Sequence, residues 1–311
     1  MVGRSRPASR ASRPGRLARR ENLHGWLFAA PWILGFVIFT AGPMLASIYL
    51  SLTDYTVLTL PKWVGLANYQ KLLTADALVG QALKVTTIYA FVSIPLNISL
   101  GLAVATLLNS NIRGLRYYRT LYYLPVVLPV VAVTLVWRWI FSGDFGLANW
   151  FLSLVGIQGP GWLTDTSWAL PALIIMSMWN VGGGIVIYLA GLQGIPTDLF
   201  EAVSVDGANW LARFRHVTIP MMTPVIFFEL IMGIIGAMQA FTQAYIMTNG
   251  GPQDATLFYM LYLYQNAFQF YKMGYASALA WVLLLYILAL TLLVFRSSLA
   301  WVYYEGQVRK R

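Results

Sequence analysis

EAVSVDGANWLARFRHVTIP, residues 201–220, is a charged segment that lies between two long apolar runs. The chain has 311 residues, of which 59% are hydrophobic and only 10% are charged. Soluble domains carry about 25% charged residues, so this composition indicates a membrane protein. A polar segment with a Gly in its middle and a Pro at its end therefore predicts a structured loop outside the bilayer.

A bilayer span requires about 20 predominantly apolar residues, and six runs of the chain qualify. They are residues 26–50, 85–108, 121–141, 168–192, 221–247 and 275–295. The first run is too long for the apolar region of a cleaved signal peptide. We therefore expect an all-α membrane protein with six transmembrane helices in residues 23–311, preceded by a disordered basic cytoplasmic arm over residues 1–22.

The basic residues predict the orientation, because Lys and Arg near span ends remain in the cytoplasm. An N-in, C-in topology places most of the 21 Lys and Arg residues inside. Those inside are Arg4, Arg6, Arg10, Arg13, Arg16, Arg19, Arg20, Arg113, Arg116, Arg119, Arg213, Arg215, Arg296, Arg309, Lys310 and Arg311, and those outside are Lys62, Lys71, Lys84, Lys272 and Arg138. The net charge of +10 therefore indicates orientation in a lipid bilayer rather than nucleic-acid binding.

Several kinds of chemistry are not expected from the residue inventory. The chain has no Cys and only two His, His24 and His216, which are far apart. No catalytic constellation or metal-ligand spacing is visible, and no Gly-Lys pair is present that could form a phosphate-binding P-loop. We therefore predict no enzyme activity, no catalytic residue, no metal site and no cofactor.

The loops outside the membrane are predicted at residues 51–84, 142–167 and 248–273. The last loop begins with TNGGP, a turn signal, and continues with LFYMLYLYQNAFQFY, residues 257–271. Because Tyr favours the headgroup level of a bilayer, this aromatic stretch predicts an interfacial helix.

The inside loop 193–220 has the signals of two short helices. Thr197 or Asp198 can cap the start of the first helix. Gly207 is placed to end it in a left-handed conformation, and Asn209 can cap the second helix. The second helix then has one apolar stripe at helical spacing, which consists of Trp210, Phe214 and Val217.

This segment resembles the cytoplasmic coupling motif in permease subunits of bacterial ABC importers, where Glu-Ala-Ala is followed by Gly and then by Ile-x-Leu-Pro. The matching residues here are Glu201, Ala202, Val203, Gly207, Val217, Ile219 and Pro220. Asp206, Ala208 and the TNGGP segment fit the version in sugar importers. The resemblance covers nearly the whole chain from residue 26 and favours the carbohydrate-uptake branch related to maltose and glycerol-3-phosphate permeases.

The resemblance implies a multi-pass protein of the bacterial plasma membrane with a coupling helix pair between its fourth and fifth transmembrane helices. It implies four partners: ABC ATPase subunits that bind ATP, a second permease subunit, an extracytoplasmic solute-binding protein and a sugar substrate. The residues expected to couple to the ATPase are Glu201, Ala202, Asp206, Gly207 and Ala208.

Polar groups inside spans often mark a transport path. Candidates from the residues themselves are Asn97, Ser99, Asn180, Glu229, Gln239, Thr242 and Gln243. Small residues on one face of the fifth span provide either path volume or close helix packing. The resemblance carries the sugar contacts onto the fourth and fifth spans, with Val126 and Val130 on the third. The predicted path thus comprises Trp179, Asn180, Gly183, Gly233, Ala237, Gln239 and Ala240.

Three functions stay open from the sequence. The first is an ATP-driven importer that passes a sugar or oligosaccharide. The second is an ion-coupled secondary transporter, which would use Glu229 and Arg138. The third is an ABC permease for glycerol-phosphate-like or other small polar solutes. Since the inner spans offer almost no Arg or Lys for a phosphate, a neutral sugar fits best, and Glu229 is expected to pair helices or subunits.

Overall fold

The computed structural model describes residues 16–110 and 113–303 of the chain. In this part of the chain, the only strands are the antiparallel pair β1 (Thr53–Asp54) and β2 (Lys62–Trp63). The first helices are α1 (Arg16–Phe36), α2 (Gly42–Ser51), α3 (Ala67–Thr74), α4 (Ala77–Leu108), α5 (Leu115–Val127), α6 (Val130–Ile140) and α7 (Leu147–Leu154). The others are α8 (Ala169–Met178), α9 (Gly182–Gln193), α10 (Thr197–Val205), α11 (Trp210–Arg213), α12 (Ile219–Met238), α13 (Thr242–Met247), α14 (Tyr259–Tyr264) and α15 (Met273–Trp301). Short π-helical turns occupy Val37–Ala41, Phe214–Thr218 and Gln265–Gln269.

Four helical stretches of the described chain are long and apolar enough to cross a bilayer without a sharp break. They are Leu23–Ser51, Ala77–Leu108, Trp210–Met247 and Met273–Trp301. Two further spans are each a bent pair of helices, α5 with α6 and α8 with α9. The predicted all-α membrane fold is therefore confirmed, with six spans when each bent pair counts as one.

Bends interrupt the third and fourth spans, each of which consists of two helices. The axes of α5 and α6 differ by 98°, and those of α8 and α9 differ by 46°. The first break lies at Leu128, which is extended (φ −76°, ψ 140°) because Pro129 follows it. The second break is followed by Gly182, Gly183 and Gly184, which are weak helix formers.

The N-terminal boundary also differs from the prediction. Helix α1 begins at Arg16, so residues 16–22 of the predicted disordered arm are helical. The segment RLARREN consists mainly of strong helix formers, which explains the earlier start. The rest of the predicted arm, residues 1–15, lies outside the described residues.

Helix α4 forms the centre of the bundle, and it packs against α8, α9, α12 and α14. Its first half contributes buried Ala82 and Ala90 to one apolar core, together with Leu173, Met238 and Leu279 from other helices. Its last turns contribute Leu102, Ala105 and Leu108 to a second core, with Tyr188, Leu192 and Met222. The space between α4, α9 and α12 is thus fixed by packing on both sides.

The first half of the aromatic stretch, residues 257–262, lies in the core and not at a membrane interface as predicted, whereas Phe268, Phe270 and Tyr271 at its end are exposed. Tyr259, Leu261 and Tyr262 on α14 are buried. The backbone N–H of Tyr259 donates to Thr86 Oγ1 on α4 (2.8 Å), and its hydroxyl donates to the Leu279 carbonyl on α15 (3.0 Å). Tyr259 and Tyr262 therefore fill the gap between two spans instead of facing lipid.

Asp76 caps the start of α4 and joins it to two other elements. Its carboxylate accepts hydrogen bonds from the Leu78 backbone N–H (3.1 Å) and from the hydroxyls of Tyr262 and Tyr275 (2.6 Å each). Burial alone would raise the pKa of Asp76, but these hydrogen bonds and one from the Val79 N–H hold the pKa below its usual value. The carboxylate thus ties α4 to α14 and α15 at one end of the bundle.

Candidate functional site

The loop between α9 and α12 contains the two short helices that the sequence predicts. Helix α10 ends at Gly207, which has a left-handed φ of +75°. The N–H groups of Gly207 and Ala208 donate to the carbonyls of Ser204 (3.1 Å) and Val203 (3.0 Å), which is the Schellman pattern of helix termination. The predicted stop at Gly207 is confirmed.

The start of α11 is capped as expected. The Asn209 side chain accepts a hydrogen bond from the Ala212 N–H (2.9 Å), and the rings of Trp210 and Phe214 stack with centroids 5.7 Å apart. The predicted cap of α10 at Thr197 or Asp198 was wrong. That helix begins directly after Pro196, which has helical φ and extended ψ, and no side chain caps it.

Helix α11 does not stop before the fifth span. It passes through the π-helical turn Phe214–Thr218 into α12, and Pro220 occupies the first turn of α12, where its missing N–H costs no hydrogen bond. The stretch from Trp210 to Met247 is one helical span. A displacement of α11 must therefore move α12 with it.

The predicted coupling residues lie together on the surface of this loop. Glu201, Ala202, Asp206 and Gly207 are exposed, and Ala208 is half-buried. Sequence reasoning did not single out two apolar neighbours, Val205 and Leu211, which are 88% and 61% exposed, or the 68% exposure of Trp210. Apolar residues within a polar segment were the signal that could have identified them.

A cavity of about 320 Å³ lies between α4, the α8–α9 pair and α12. Polar groups from five helices and from the bend between α8 and α9 reach it, and they are Tyr89, Ser93, Asn97, Ser177, Asn180, Tyr188, Glu229 and Gln243. Small residues on α12 and beyond it form one wall, namely Gly233, Gly236, Ala237 and Ala240. The small-residue face of the fifth span therefore provides volume in this structure.

A second cavity of about 270 Å³ adjoins the first. Both cavities are lined by Tyr89, Ser177, Asn180 and Gln243. The smaller cavity is otherwise mainly apolar, with Pro125, Val126, Leu128, Val130, Val133, Leu173, Met176 and Trp179 in its lining. Residues of both broken spans line it. Irregular backbone at membrane depth is tolerated where it lines a cavity, which accounts for the position of the two bends.

Hydrogen bonds hold the polar groups of the shared wall in place. The Asn97 amide donates to the Ser177 hydroxyl (3.1 Å) and to the Ser93 carbonyl (2.8 Å). The Ser177 hydroxyl donates to the Ile174 carbonyl (2.7 Å), and the Gln243 amide donates to the Tyr89 hydroxyl over 3.4 Å. The wall is thus a polar network that joins α4, α8 and α13.

Most of the predicted path residues are brought together. Asn180, Gly233, Ala237 and Ala240 line the larger cavity, and Trp179 lines the smaller one with Val126 and Val130. Gly183 and Gln239 are exposed and belong to neither lining. Sequence reasoning missed Tyr89, Ser93 and Ser177. Tyr89 and Ser93 precede Asn97 at intervals of four residues on α4, so helical spacing from Asn97 could have found them.

Glu229 and Arg138 occupy different sites. Glu229 lines the larger cavity, where an added Cβ on Gly184 would lie 3.3 Å from its carboxylate. Arg138 lies at the end of α6 and donates to the Ile246 carbonyl (3.2 Å) at a separate surface cavity with Asn249 and Gln269. The two residues do not form one ion path through the described bundle.

Comparisons with known proteins agree with this architecture. Residues 97–300 match the family described as binding-protein-dependent transport system inner membrane component. The chain is 46% identical over 301 residues to the probable ABC transporter permease protein YesP of Bacillus subtilis (strain 168), covering 96% of this chain and 97% of that protein. It is 37% identical over 289 residues to the lactose transport system permease protein LacF of Rhizobium radiobacter, covering 91% and 96%.

Among solved structures, the fold is similar to a chain of a bacterial ABC transporter involved in the import of the acidic polysaccharide alginate. The TM-score is 0.78 at 23% identity, and the match covers 91% of this chain and 98% of that one. The family match over residues 97–300 includes the coupling loop between α9 and α12 and nearly all of the last span. The chain therefore belongs to the family of inner-membrane components of binding-protein-dependent transport systems.

Proposed function

We propose that this chain forms one part of the translocation path of an ATP-driven importer for a sugar or oligosaccharide. The observation that carries the proposal is the polar wall shared by the two cavities. Amides of Asn97, Asn180 and Gln243 and the Tyr89 hydroxyl surround the space, and Trp179 presents an aromatic ring beside it. A few convergent polar groups in a largely apolar cavity are the usual basis of small-molecule specificity.

The charges of the linings disfavour an anionic substrate. No Lys or Arg lines either cavity, so a phosphorylated solute would lack the cationic partner that it usually requires. The relative LacF is a lactose permease by name, which favours a carbohydrate over glycerol-phosphate-like or other small polar solutes.

The coupling loop is the proposed contact with a separate ATPase. Glu201 and Asp206 would pair with basic side chains of the ATPase, and the exposed side chains of Val205, Trp210 and Leu211 would fill its apolar cleft. Because α11 continues into α12, closure of the ATPase would rotate or push the helix that carries Gly233 and Ala237 along the cavity. ATP binds the separate ATPase in this scheme, and the chain needs no cofactor of its own.

The remaining partners follow from the family and from the geometry. The family depends on a solute-binding protein, which would deliver the sugar from outside the cell. The two cavities are lined by the spans of this chain alone. A second permease subunit would provide the remaining wall of the path. In the proposed N-in, C-in topology, α10 and α11 lie in the cytoplasm, and the ends of α6 and α8 that adjoin α7 lie outside.

Reconstitution in proteoliposomes tests the proposal. The chain would be assembled with its ATPase, second permease and binding protein, and uptake of radiolabelled lactose, maltose and monosaccharides would be measured. We expect uptake of at least one sugar that requires internal ATP and the binding protein and that a protonophore does not reduce. Uptake driven by a proton gradient without ATP would contradict the proposal, as would uptake of glycerol 3-phosphate and of no sugar.

A cysteine-labelling experiment tests the topology independently. The chain has no Cys, and Ser204 on α10 is exposed. Ser204→Cys in intact cells should react with a membrane-impermeant maleimide only after the membrane is opened. Labelling from outside would place the coupling loop on the wrong side and would refute contact with a cytoplasmic ATPase.

The ion-coupled alternative is not retained. It would need Glu229 and Arg138 along one path, and the two residues line separate cavities. Membership of a binding-protein-dependent family also disfavours a carrier that works alone.

A further inference from the structure

Helix α7 exposes an apolar stripe on the side that faces away from the protein. Leu147, Trp150, Phe151 and Leu154 recur at i, i+3, i+4 and i+7, which places them on one face of the helix. Trp150, Phe151 and Leu154 are 53%, 60% and 63% exposed. The helix contains no charged residue. An uncharged aromatic and aliphatic stripe of this kind is unfavourable in contact with water.

The opposite face fixes the rotation of α7. Ala148, Asn149 and Leu152 are half-buried against the protein. The Asn149 carbonyl oxygen accepts a hydrogen bond from Trp162 Nε1 (2.6 Å), and its amide donates to the carbonyls of Gly143 (3.0 Å) and Pro160 (3.3 Å). These three bonds hold the apolar stripe outward, so the stripe cannot be covered by a simple rotation of the helix.

The depth of α7 follows from its neighbours. The Trp162 ring packs on Phe141, which follows α6 (5.3 Å between centroids), and on Trp168, which precedes α8 (5.1 Å). Helix α7 is therefore tied to the ends of two membrane-crossing spans on the same side of the bilayer. Trp residues concentrate at the level where headgroups meet acyl chains, and this end of the bundle carries Trp150, Trp162 and Trp168 within one loop.

We propose that α7 is a lipid anchor that lies along the membrane surface and buries its stripe at the boundary between headgroups and acyl chains. Exposed Phe145 and Val155 extend the apolar surface beyond both ends of the helix. Helix α7 is also in contact with α6, on which Leu135 and Trp139 are exposed, and this proximity to an apolar membrane-crossing surface favours lipid as the occupant. The outer leaflet is assigned by the proposed topology, whereas the depth rests on the helix packing alone.

The absence of cysteine in the chain allows a direct test. Nitroxide labels would be placed at Phe151→Cys and Leu154→Cys, with Ser153→Cys as the matched control. Ser153 is also exposed but lies on the flank of the stripe. The variants would be assembled with partner chains that lack reactive cysteines and placed in phosphatidylcholine nanodiscs. Power-saturation spectroscopy would then compare collisions with oxygen, which concentrates in lipid, and with a water-soluble nickel chelate.

The measured quantity is the ratio of oxygen accessibility to nickel accessibility at each label. We expect this ratio at positions 151 and 154 to be at least several-fold higher than at position 153. Equal nickel accessibility at all three positions would show that the stripe faces water and would overturn the proposal. Protection of positions 151 and 154 from both reagents would show that protein covers the stripe, either the second permease or the binding protein, and would overturn it as well. Because the readout is spectroscopic, these outcomes do not depend on the transported substrate.

Discussion

The Gln243 amide on α13 donates a hydrogen bond to the Tyr89 hydroxyl on α4 over 3.4 Å, and both side chains line both cavities. This contact joins two residues that lie 154 positions apart in the sequence, and it lies where the two linings meet. The side chains on either side of it therefore determine whether the two cavities act as one space.

Removal of the Tyr89 hydroxyl should impair transport more than folding. Tyr89→Phe leaves the Gln243 amide without its partner, and a hydrogen bond of this type contributes about 0.5–1.5 kcal/mol. We expect ATP-dependent uptake to fall about 2- to 10-fold. The matched control is Tyr286→Phe, because the Tyr286 hydroxyl bonds Thr87 on the same helix (3.0 Å) but lines neither cavity. Equal losses in both variants would contradict a role specific to the cavity.

A large side chain at Gly236 should block the path. Gly236 lines the larger cavity, and a Cβ added there meets no atom within 4 Å. Gly236→Phe would direct its ring into the open space, so we expect uptake to fall at least about 10-fold while insertion and assembly continue. Gly236→Ala adds a single carbon and should retain most of the uptake. Full transport by the Phe variant would show that the sugar does not pass this cavity.

Gly207 should be replaceable only by residues that accept its backbone conformation. With φ at +75°, a β-branched side chain is strained by about 1–2 kcal/mol, whereas Asn adopts this region more readily. We expect Gly207→Val to lose uptake and substrate-stimulated ATPase activity, with Gly207→Asn close to the parent. The amounts of the two variants in the membrane fraction, measured by immunoblot, should be equal. Active Gly207→Val would remove the need for the sharp turn in coupling.

Gly182 is expected to be essential for the packing of the two broken spans. A Cβ at this position would clash with the Tyr122 carbonyl oxygen on α5, which is backbone and cannot move easily. Gly182→Ala should destabilise the protein by about 1–3 kcal/mol, measured as a lower melting temperature in detergent. Gly80→Ala on α4 meets nothing within 4 Å and should be neutral or slightly stabilising. Equal melting temperatures for the two variants would contradict the close approach.

Asp76 should make stability fall at acid pH. Its folded-state pKa lies below the ordinary value, because hydrogen bonds from Tyr262 and Tyr275 outweigh the effect of burial. The contribution is therefore complete above the unfolded pKa of about 3.9, and it is lost as the pH falls through the lower folded pKa. At neutral pH, Asp76→Asn should have a free energy of unfolding about 1–2 kcal/mol lower than the parent, measured as a lower melting temperature. This difference should shrink below a pH of about 3.9.

The exposed residue Asp144 provides the control for this experiment. Asp144→Asn removes an exposed carboxylate and should have the same melting temperature as the parent at neutral pH. A constant difference between Asp76→Asn and the parent down to strongly acid pH would refute the role of the charged carboxylate.

Local rules were sufficient for the coupling loop. A Gly that ends a helix and an Asn that begins one act through bonds within a few residues, so Gly207 and Asn209 could be assigned from the sequence. The apolar runs likewise identified all six spans. The start of α10 was misplaced because Pro196 sets the backbone directly, and no side-chain cap is then needed.

The breaks in the third and fourth spans depend on tertiary structure, so the sequence could not decide them. A Pro inside a span bends or breaks it according to whether neighbours satisfy the freed backbone groups, and Pro95 lies within the continuous helix α4. Gly183 was predicted from the resemblance, and Gln239 was predicted as a polar residue within a span. Gly183 follows a break and Gln239 lies at the end of α12, and neither residue lines the two cavities.

At a helix end, main-chain carbonyl groups of the last turn lose their partners within the helix, and two such ends, at Leu128 and near Asn180, border the smaller cavity. A main-chain oxygen stays in place whichever amino acid is present, so substitutions cannot remove it as an acceptor. Different hydroxyl-rich substrates would thus share one path, while a small number of side chains around it determine which substrate is preferred. A change of the transported sugar would then require few substitutions in this chain and more in the solute-binding protein.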